Sequence, residues 1–419
     1  MRWTPSGKQL QKKKRKKSEN KNISFADILV LNRSYGTTAE DEFLQPRRQR
    51  FQKLRDGKRD QLLDRIDYEQ MLQSVEDAVR SNSQIAMGIF QTGCSALAQL
   101  TGELGPPETW RAKATAEDLS ISRACIRGLL RDWSREGEPE RNAAHGPILR
   151  ALRQEFGHVG GKTLVRILVP GAGLGRLLHS ISNLGLSVEG ADVSYHTLVT
   201  CLYLFGANSP PCRHTLYPWA LSFSNHVSRH HQLRGVMMPD LHLPGPVGVG
   251  MDMSQATGGT EQQIVFVRGG FVETYQASSQ AGKFSALVTC YFIDTAPNFL
   301  DYVETAWNCL EPGGIWINIG PLLWNVEENG PAGKGEGDLD EQEAWKARAG
   351  AEEQTPVPAA LELTGDEVLQ LLGAKGFTVE QSEKSGKPST YVGNPSSMLR
   401  YIYDMAFWVA RKPRRTVKL

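Results

Sequence analysis

The ten residues Ile167-Leu168-Val169-Pro170-Gly171-Ala172-Gly173-Leu174-Gly175-Arg176 decide how the rest of the chain is read. A short apolar run ends in three alternating glycines and passes into a helical pattern, Arg176 to Leu184. Glycines in such a turn let the backbone approach a ligand closely, and the N–H groups that open the following helix face it. The spacing is G-x-G-x-G, with Arg176 where a dinucleotide site requires its third glycine for close strand–helix packing, so a pyrophosphate is not the expected ligand. Asp192 closes the next β-type run, 21 residues after Gly171, where a carboxylate can accept from a pair of ribose hydroxyls.

Outward from this turn, short β-rich runs alternate with helical stretches: Leu164 to Val169, Arg176 to Leu184, Ser187 to Gly190. That alternation predicts a parallel sheet with helices on both faces, an α/β fold. Phe284 to Ile293 is a continuous apolar run fit for a buried strand, and it delivers Asp294 to the strand's C-terminal edge, where open α/β sheets bind ligands. A helical stretch from Asn298 to Leu310, a Glu311-Pro312-Gly313-Gly314 turn and a strand from Ile315 to Ile319 follow. Thr364-Gly365-Asp366-Glu367 has capping-box form and opens a helix through Leu372, and Met405 to Ala410 is a final strand. Upstream, Leu62, Ile66, Leu72, Val75 and Val79 recur at helical spacing, and a second helical stretch runs from Leu119 to Ser134. The expected organisation is a disordered basic tail at 1–45, a helical region at 46–158, and an α/β domain at 159–411 with inserted loops at 241–263 and 327–358.

At 419 residues, with 40% hydrophobic and 22% charged, the composition excludes wholesale disorder and fibrous classes. No apolar run reaches the ~18 residues a membrane span needs. The first residues lead into charge rather than an apolar segment, so no secretory signal is expected, and the default address is intracellular. Residues 1–24 carry nine Lys/Arg against one Glu, or +8, so a formal total of +2 leaves −6 on the remainder. A negative body is not expected to bind nucleic acid directly, because such affinity comes from arrays of Lys and Arg. The cluster Lys12 to Lys17 reads either as a nuclear-localisation or phosphate-binding tail, or as a solvated tail without a reader. The expected address is therefore cytoplasmic, with nuclear import open. Six cysteines without a C-x-x-C pair suggest no zinc or redox site, and His179, His196 and His214 lack metal spacing. No metal is expected.

The glycine turn, the acid after it and the late L-x-P-G-G element together resemble S-adenosylmethionine-dependent methyltransferases of the Rossmann-like class. Five strings narrow the resemblance: Arg131-Asp132-Trp133-Ser134; Leu168 to Arg176; Leu216-Tyr217-Pro218-Trp219; Phe292-Ile293-Asp294-Thr295-Ala296; and Gly313 to Leu323. Over residues 126–240 and 264–411 the chain is similar to the carnosine N-methyltransferase family. The resemblance implies a Rossmann-like methyltransferase sheet, the cofactor S-adenosyl-L-methionine, and methylation of the imidazole of a histidine-containing dipeptide, carnosine to anserine. It implies Arg131, Gly171, Asp192, Phe271 and Cys290 as cofactor contacts, with Gly173 in the same turn, and Asp294, Tyr391 and Tyr403 as substrate-pocket positions. Gly128 stands where the family has a polar cofactor contact, Gly270 where it has an acid near the adenine, and Asn325 where it has a substrate-side histidine. Asn can hydrogen-bond a dipeptide but cannot accept a proton.

Methyl transfer from a sulfonium needs alignment and a free lone pair. An imidazole, mostly neutral at pH 7, needs orientation more than deprotonation. Asp294 is expected to hold the ring N–H and stabilise the developing cation, acting as the catalytic residue. Cys290 is expected as an apolar wall. Two alternatives stay open on sequence: an acceptor that is a protein histidine or another small imidazole, and a methyltransferase-like fold serving as a non-catalytic binding module. A homodimer is compatible with the sequence.

Overall fold

The computed structural model describes residues 25–54, 60–101, 116–158, 164–206, 211–243, 248–250, 264–324, 361–384 and 388–414. The Lys12 to Lys17 cluster, Asn325 and the loop expected at 327–358 lie outside the described residues. Six helices come first: α1 (Phe25–Ala39), running through a π-turn at Glu40–Leu44 into α2 (Gln45–Leu54), then α3 (Asp60–Leu63), α4 (Tyr68–Thr101), α5 (Ala116–Trp133) and α6 (Glu138–Phe156). The α/β part follows as β1 (Arg166–Pro170), α7 (Arg176–Ser182), β2 (Ser187–Asp192), α8 (Tyr195–Gly206), β3 (His214–Leu216), α9 (Arg229–Gln232), β4 (Val236–Met238), β5 (Gly248–Gly250) and β6 (Ile264–Arg268). It ends with α10 (Phe271–Tyr275), β7 (Phe284–Cys290), α11 (Phe299–Cys309), β8 (Leu310–Gly320), α12 (Gly365–Lys375), β9 (Thr378–Lys384) and β10 (Ala406–Arg411).

Eight strands form one sheet in the order β5-β6-β2-β1-β7-β8-β10-β9. From β5 to β8 every pairing is parallel, whereas β10 runs antiparallel to both β8 and β9. This is the α/β methyltransferase sheet that the resemblance implied. From β1 the chain builds outward through β2 and later through β7 on the opposite side, so the strand order reverses between β1 and β7. At such a switch point the connections diverge and leave a crevice at the carboxyl ends of the strands. Gly171 and Tyr291 directly follow β1 and β7, and Asp192 is the last residue of β2, so the three share that edge.

The tail expected at 1–45 is corrected: helix begins at Phe25, and Tyr35, Ala39 and Leu44 are buried. The face that α1 buries also includes Asn32 and Thr38, so its apolar periodicity is interrupted by polar residues and escaped a hydrophobic pattern. The helical region is no separate core. One continuous apolar cluster joins Tyr35 and Leu72 to Ile167 and Val169 of β1 and Phe407 of β10. Asn82 of α4 tightens this union, its side chain exchanging two 2.9 Å bonds with the backbone of Tyr217. Part of the loop expected at 241–263 is strand, since β5 adds to the sheet edge beside β6. The capping box at Thr364 is present, with its N–H donating to Glu367 at 2.8 Å, and Gly376 ends α12 at φ 112°.

Trp133, the last residue of α5, is fully buried beneath the glycine turn. Its indole N–H donates to the carbonyl of Leu174 at 2.9 Å, and its ring meets Phe205 edge to face at 5.5 Å. One side chain thus fills the space under the turn and satisfies a carbonyl within it. Trp133→Ala should lower stability by about 3–5 kcal/mol. Trp133→Phe should fall between wild type and Ala, since it keeps most of the volume but orphans the carbonyl at about 1–3 kcal/mol. Urea unfolding of the three proteins measures both.

Candidate active site

Gly171, Gly173 and Gly175 all lie in the left-handed region, at φ 65°, 54° and 80°. Their surroundings differ. A Cβ on Gly171 would stand 2.5 Å from the Phe292 ring and one on Gly175 2.7 Å from Phe266, so these two let the turn lie against the sheet. A Cβ on Gly173 would meet nothing nearer than an Arg131 guanidinium nitrogen at 3.8 Å. The middle glycine therefore borders open space, and that space is roofed by a cation.

Asp192 is tied to the same peptide. Its Oδ2 accepts from the Gly173 N–H at 3.2 Å and its Oδ1 from the Ser194 N–H at 2.9 Å. A carboxylate offers about four lone-pair sites, so roughly two remain for a ligand's hydroxyls. Burial pushes Asp192 up to about 6, and the two amides only partly offset that.

Arg131 binds Asp132 through Nε at 2.7 Å and Nη2 at 3.2 Å, and its guanidinium lies 4.7 Å from the centre of the Tyr391 ring. Two of its five N–H donors are spent on Asp132. The peptide that carries Arg131 is held by groups the sequence reading did not single out. Arg141 donates to the carbonyls of Arg131 and Ser134, and Arg176 to that of Asp132 at 3.1 Å. Asp240 then joins the two arginines, accepting from Arg141 at 2.9 Å and from Arg176, while its own N–H donates to Trp133 at 2.9 Å. Asp240 sits in Met238-Pro239-Asp240, at the border of what reads as an inserted loop. Only tertiary contact gives it meaning.

The end of β7 supplies the opposite wall. Tyr291 is left-handed at φ 52°, a conformation that costs a non-glycine residue of order 1–3 kcal/mol. Its ring lies 5.0 Å from that of Tyr391, and its hydroxyl donates to the Thr390 carbonyl at 3.3 Å. Tyr291 borders the same edge without having been singled out in sequence, where it reads as one more apolar position of a buried strand. Phe292 covers Gly171 and stacks on Tyr302, with ring centres 5.0 Å apart. Asp294 is buried in the 3-10 turn Ile293–Thr295, where its Oδ2 accepts from the Leu323 N–H at 3.1 Å beyond β8. Cys290 is half-buried, paired with Ile319 across β7 and β8.

Several of the predicted positions lie together. Gly173 bonds Asp192, Arg131 lies against the Tyr391 ring, and a Cβ on Gly173 would come within 3.8 Å of the Arg131 guanidinium. Tyr403 joins through its backbone pair with Ser389, at 2.7 and 3.0 Å, two residues before Tyr391. Phe271 is linked through Phe292, with ring centres 6.0 Å apart, but its side chain is buried among aromatics, which leaves chiefly its main chain to face a ligand. A Cβ on Gly128 would press Leu174 at 3.1 Å, and one on Gly270 would collide with the Glu273 carboxylate, which lies over it. Gly270 therefore coincides with an acid three residues on. Among the described residues no group of His, Cys, Asp and Glu could hold a metal. His214 bonds the Tyr203 hydroxyl at 2.7 Å and His179 bonds Asn183. His196 is buried without a hydrogen bond, and burial pushes it down to about 4.

The family model for carnosine N-methyltransferase matches residues 108–414 of this chain. The carnosine N-methyltransferase of Mus musculus is 31% identical over 302 residues, 72% of this chain and 65% of that protein. The carnosine N-methyltransferase of Schizosaccharomyces pombe is 32% identical over 287 residues, 68% of this chain and 69% of that one. The match thus spans just under two thirds of the mouse relative's length. Among solved structures, a 1,6-didemethyltoxoflavin-N1-methyltransferase of Burkholderia thailandensis aligns loosely, at a TM-score of 0.33 and 16% identity over 72% of this chain and 92% of that one. The family match takes in the glycine turn, Asp192, the Arg131 peptide and both walls of the crevice, and the chain belongs to the carnosine N-methyltransferase family.

Proposed function

We propose that this protein is an S-adenosyl-L-methionine-dependent N-methyltransferase acting on the imidazole of a histidine-containing dipeptide of the carnosine type. The observation that carries the reading is the open space at Gly173. A Cβ there would come within 3.8 Å of the Arg131 guanidinium, and the same residue's N–H donates to the Asp192 carboxylate, at the point where the strand order reverses. A cation and a diol acceptor that both reach one bare glycine peptide suit a ligand with a carboxylate at one end and a ribose at the other. The remaining donors of Arg131 would hold the carboxylate, and the remaining lone pairs of Asp192 the ribose hydroxyls. When bound, the cofactor supplies a methyl group on a positively charged sulfur.

The acceptor then needs a neutral imidazole with one nitrogen restrained and the other exposed. Asp294 suits that task. It is a buried carboxylate at the strand edge whose orientation is set by the Leu323 amide, and two oxygens can accept more than that one bond. As the ring gains charge, the carboxylate stabilises it in a site shielded from water, where such interactions are strongest. Tyr391 and Tyr403 would close the pocket, and Cys290 would be an apolar wall. Asn325 would meet the substrate as a hydrogen-bonding group. The address we propose is cytoplasmic, with nuclear import through Lys12 to Lys17; membrane and nucleic-acid partners form no part of the reading, and a homodimer is compatible with it. Among the described residues no helix is long and apolar enough to cross a membrane.

Incubation with carnosine and S-adenosyl-L-methionine should yield dipeptide methylated on the ring, read by mass spectrometry. Asp294→Asn should lower kcat by about 10²-fold or more while leaving cofactor affinity within about threefold. A panel of a histidine peptide, free histidine and imidazole distinguishes a drifted acceptor, and cofactor binding without any turnover would favour a binding module.

The pH dependence follows from Asp192. Its folded value of about 6 lies above the ordinary 3.8, so the empty fold prefers the neutral acid. The corresponding stability contribution is complete below 3.8 and is lost as pH rises through about 6. Cofactor binding has the opposite preference, because ribose hydroxyls donate to the carboxylate. Affinity measured by calorimetry should be level above about pH 6 and fall as pH drops below it. Asp192→Asn should remove that dependence and weaken binding about tenfold or more.

A further inference from the structure

Tyr391 owes its place to a residue far from it in sequence. It is carried on the turn Thr390–Gly393, and three donors of that turn converge on Glu140 in the first turn of α6. The Thr390 hydroxyl and the Gly393 N–H donate to its Oε2, the latter at 3.0 Å, and the Val392 N–H donates to its Oε1 at 2.6 Å. The turn would not choose this shape alone. Val392 is left-handed at φ 56°, which a β-branched side chain disfavours strongly, and a Cβ on Gly393 would stand 2.4 Å from the Thr390 Cβ. A strained backbone persists only where its surroundings over-determine it. Here one carboxylate supplies three of the bonds that do so.

The held turn has a direct consequence for the crevice. It presents the Tyr391 ring at once to the Arg131 guanidinium at 4.7 Å and to the Tyr291 ring at 5.0 Å, and its Thr390 carbonyl takes the Tyr291 hydroxyl. Tyr291 is itself left-handed and Tyr391 precedes the left-handed Val392, so the two rings that meet here are carried on or beside strained backbone. We propose that Glu140 is a positioning residue for the acceptor side of the site: it latches the Thr390–Gly393 turn and so fixes Tyr391 between Arg131 and Tyr291. This deepens the methyltransferase reading and rests on it. Arg131 is held by Asp132 through contacts that do not involve this turn, so loss of the latch should disturb the acceptor more than the cofactor.

The experiment compares Glu140→Ala, Glu140→Gln and the pair Glu140→Ala/Val392→Gly in the full chain. Glu140→Ala should raise the KM for carnosine about tenfold or more, with the cofactor Kd within about threefold. Glu140→Gln keeps one acceptor oxygen and should fall between. Val392→Gly, which tolerates the left-handed backbone, should recover part of the lost KM in the Glu140→Ala background, a result that general destabilisation would not give. Hydrogen exchange at the Val392 and Gly393 amides reads the latch without any turnover and should quicken about tenfold or more in Glu140→Ala. That readout separates failure of the latch from failure of the substrate assignment. Unchanged exchange, equal effects on carnosine and cofactor, or no rescue by glycine would each overturn the proposal. Should the Ala variants not fold, exchange and KM in Glu140→Gln decide, and wild-type values there would overturn it as well.

Discussion

Three left-handed peptides at the end of β1 constrain the rest of the molecule. The turn from Gly171 to Gly175 must lie flat on the sheet at both ends and leave side-chain space in the middle, because Phe292 and Phe266 press on the outer glycines while a Cβ on the central one would meet only Arg131. That geometry needs support from below and from the side. Trp133 provides the first by filling the space beneath Leu174, and Asp192 the second by accepting the Gly173 amide. The crevice is thus built from main chain, with side chains acting as its frame.

The frame includes charges removed from water. Arg141 and Asp132 are buried, and Asp240 and Arg176 nearly so, yet each charge is met by an opposite charge or a peptide carbonyl. Buried pairs contribute little net stability, but removing one partner strands the other and costs about 3–5 kcal/mol. Their value here is geometric. Asp240 unites the helix after the glycine turn with the helix after Arg131, so the positive charge over Gly173 and the turn beneath it keep one relative position.

Local pattern carried much of this into the sequence. A parallel strand buried on both faces reads as an unbroken apolar run, a glycine turn reads as glycines, and Asp192 and Asp294 are legible because each ends such a run at the ligand-bearing edge. What was hidden depends on distant partners or on polar burial. Helix α1 packs through Asn32 and Thr38 as well as Tyr35, so its amphipathic face is blurred. Glu140 acts on residues more than two hundred positions away, and Tyr291 differs from its strand neighbours only in a backbone angle. Asp240 hides in the border of an irregular stretch. Asn325 lies outside the described residues, and its role stays with the sequence.

If peptide backbone forms the floor of the cofactor site, a single methyl placed on that floor should matter more than its volume suggests. Gly173→Ala tests this most directly. The added Cβ has no protein atom nearer than 3.8 Å, and the left-handed backbone costs alanine only about 1–2 kcal/mol, so the variant should remain folded. Calorimetric titration with S-adenosyl-L-methionine should then show affinity reduced about tenfold or more. A folded variant that binds the cofactor as tightly as wild type would contradict the account.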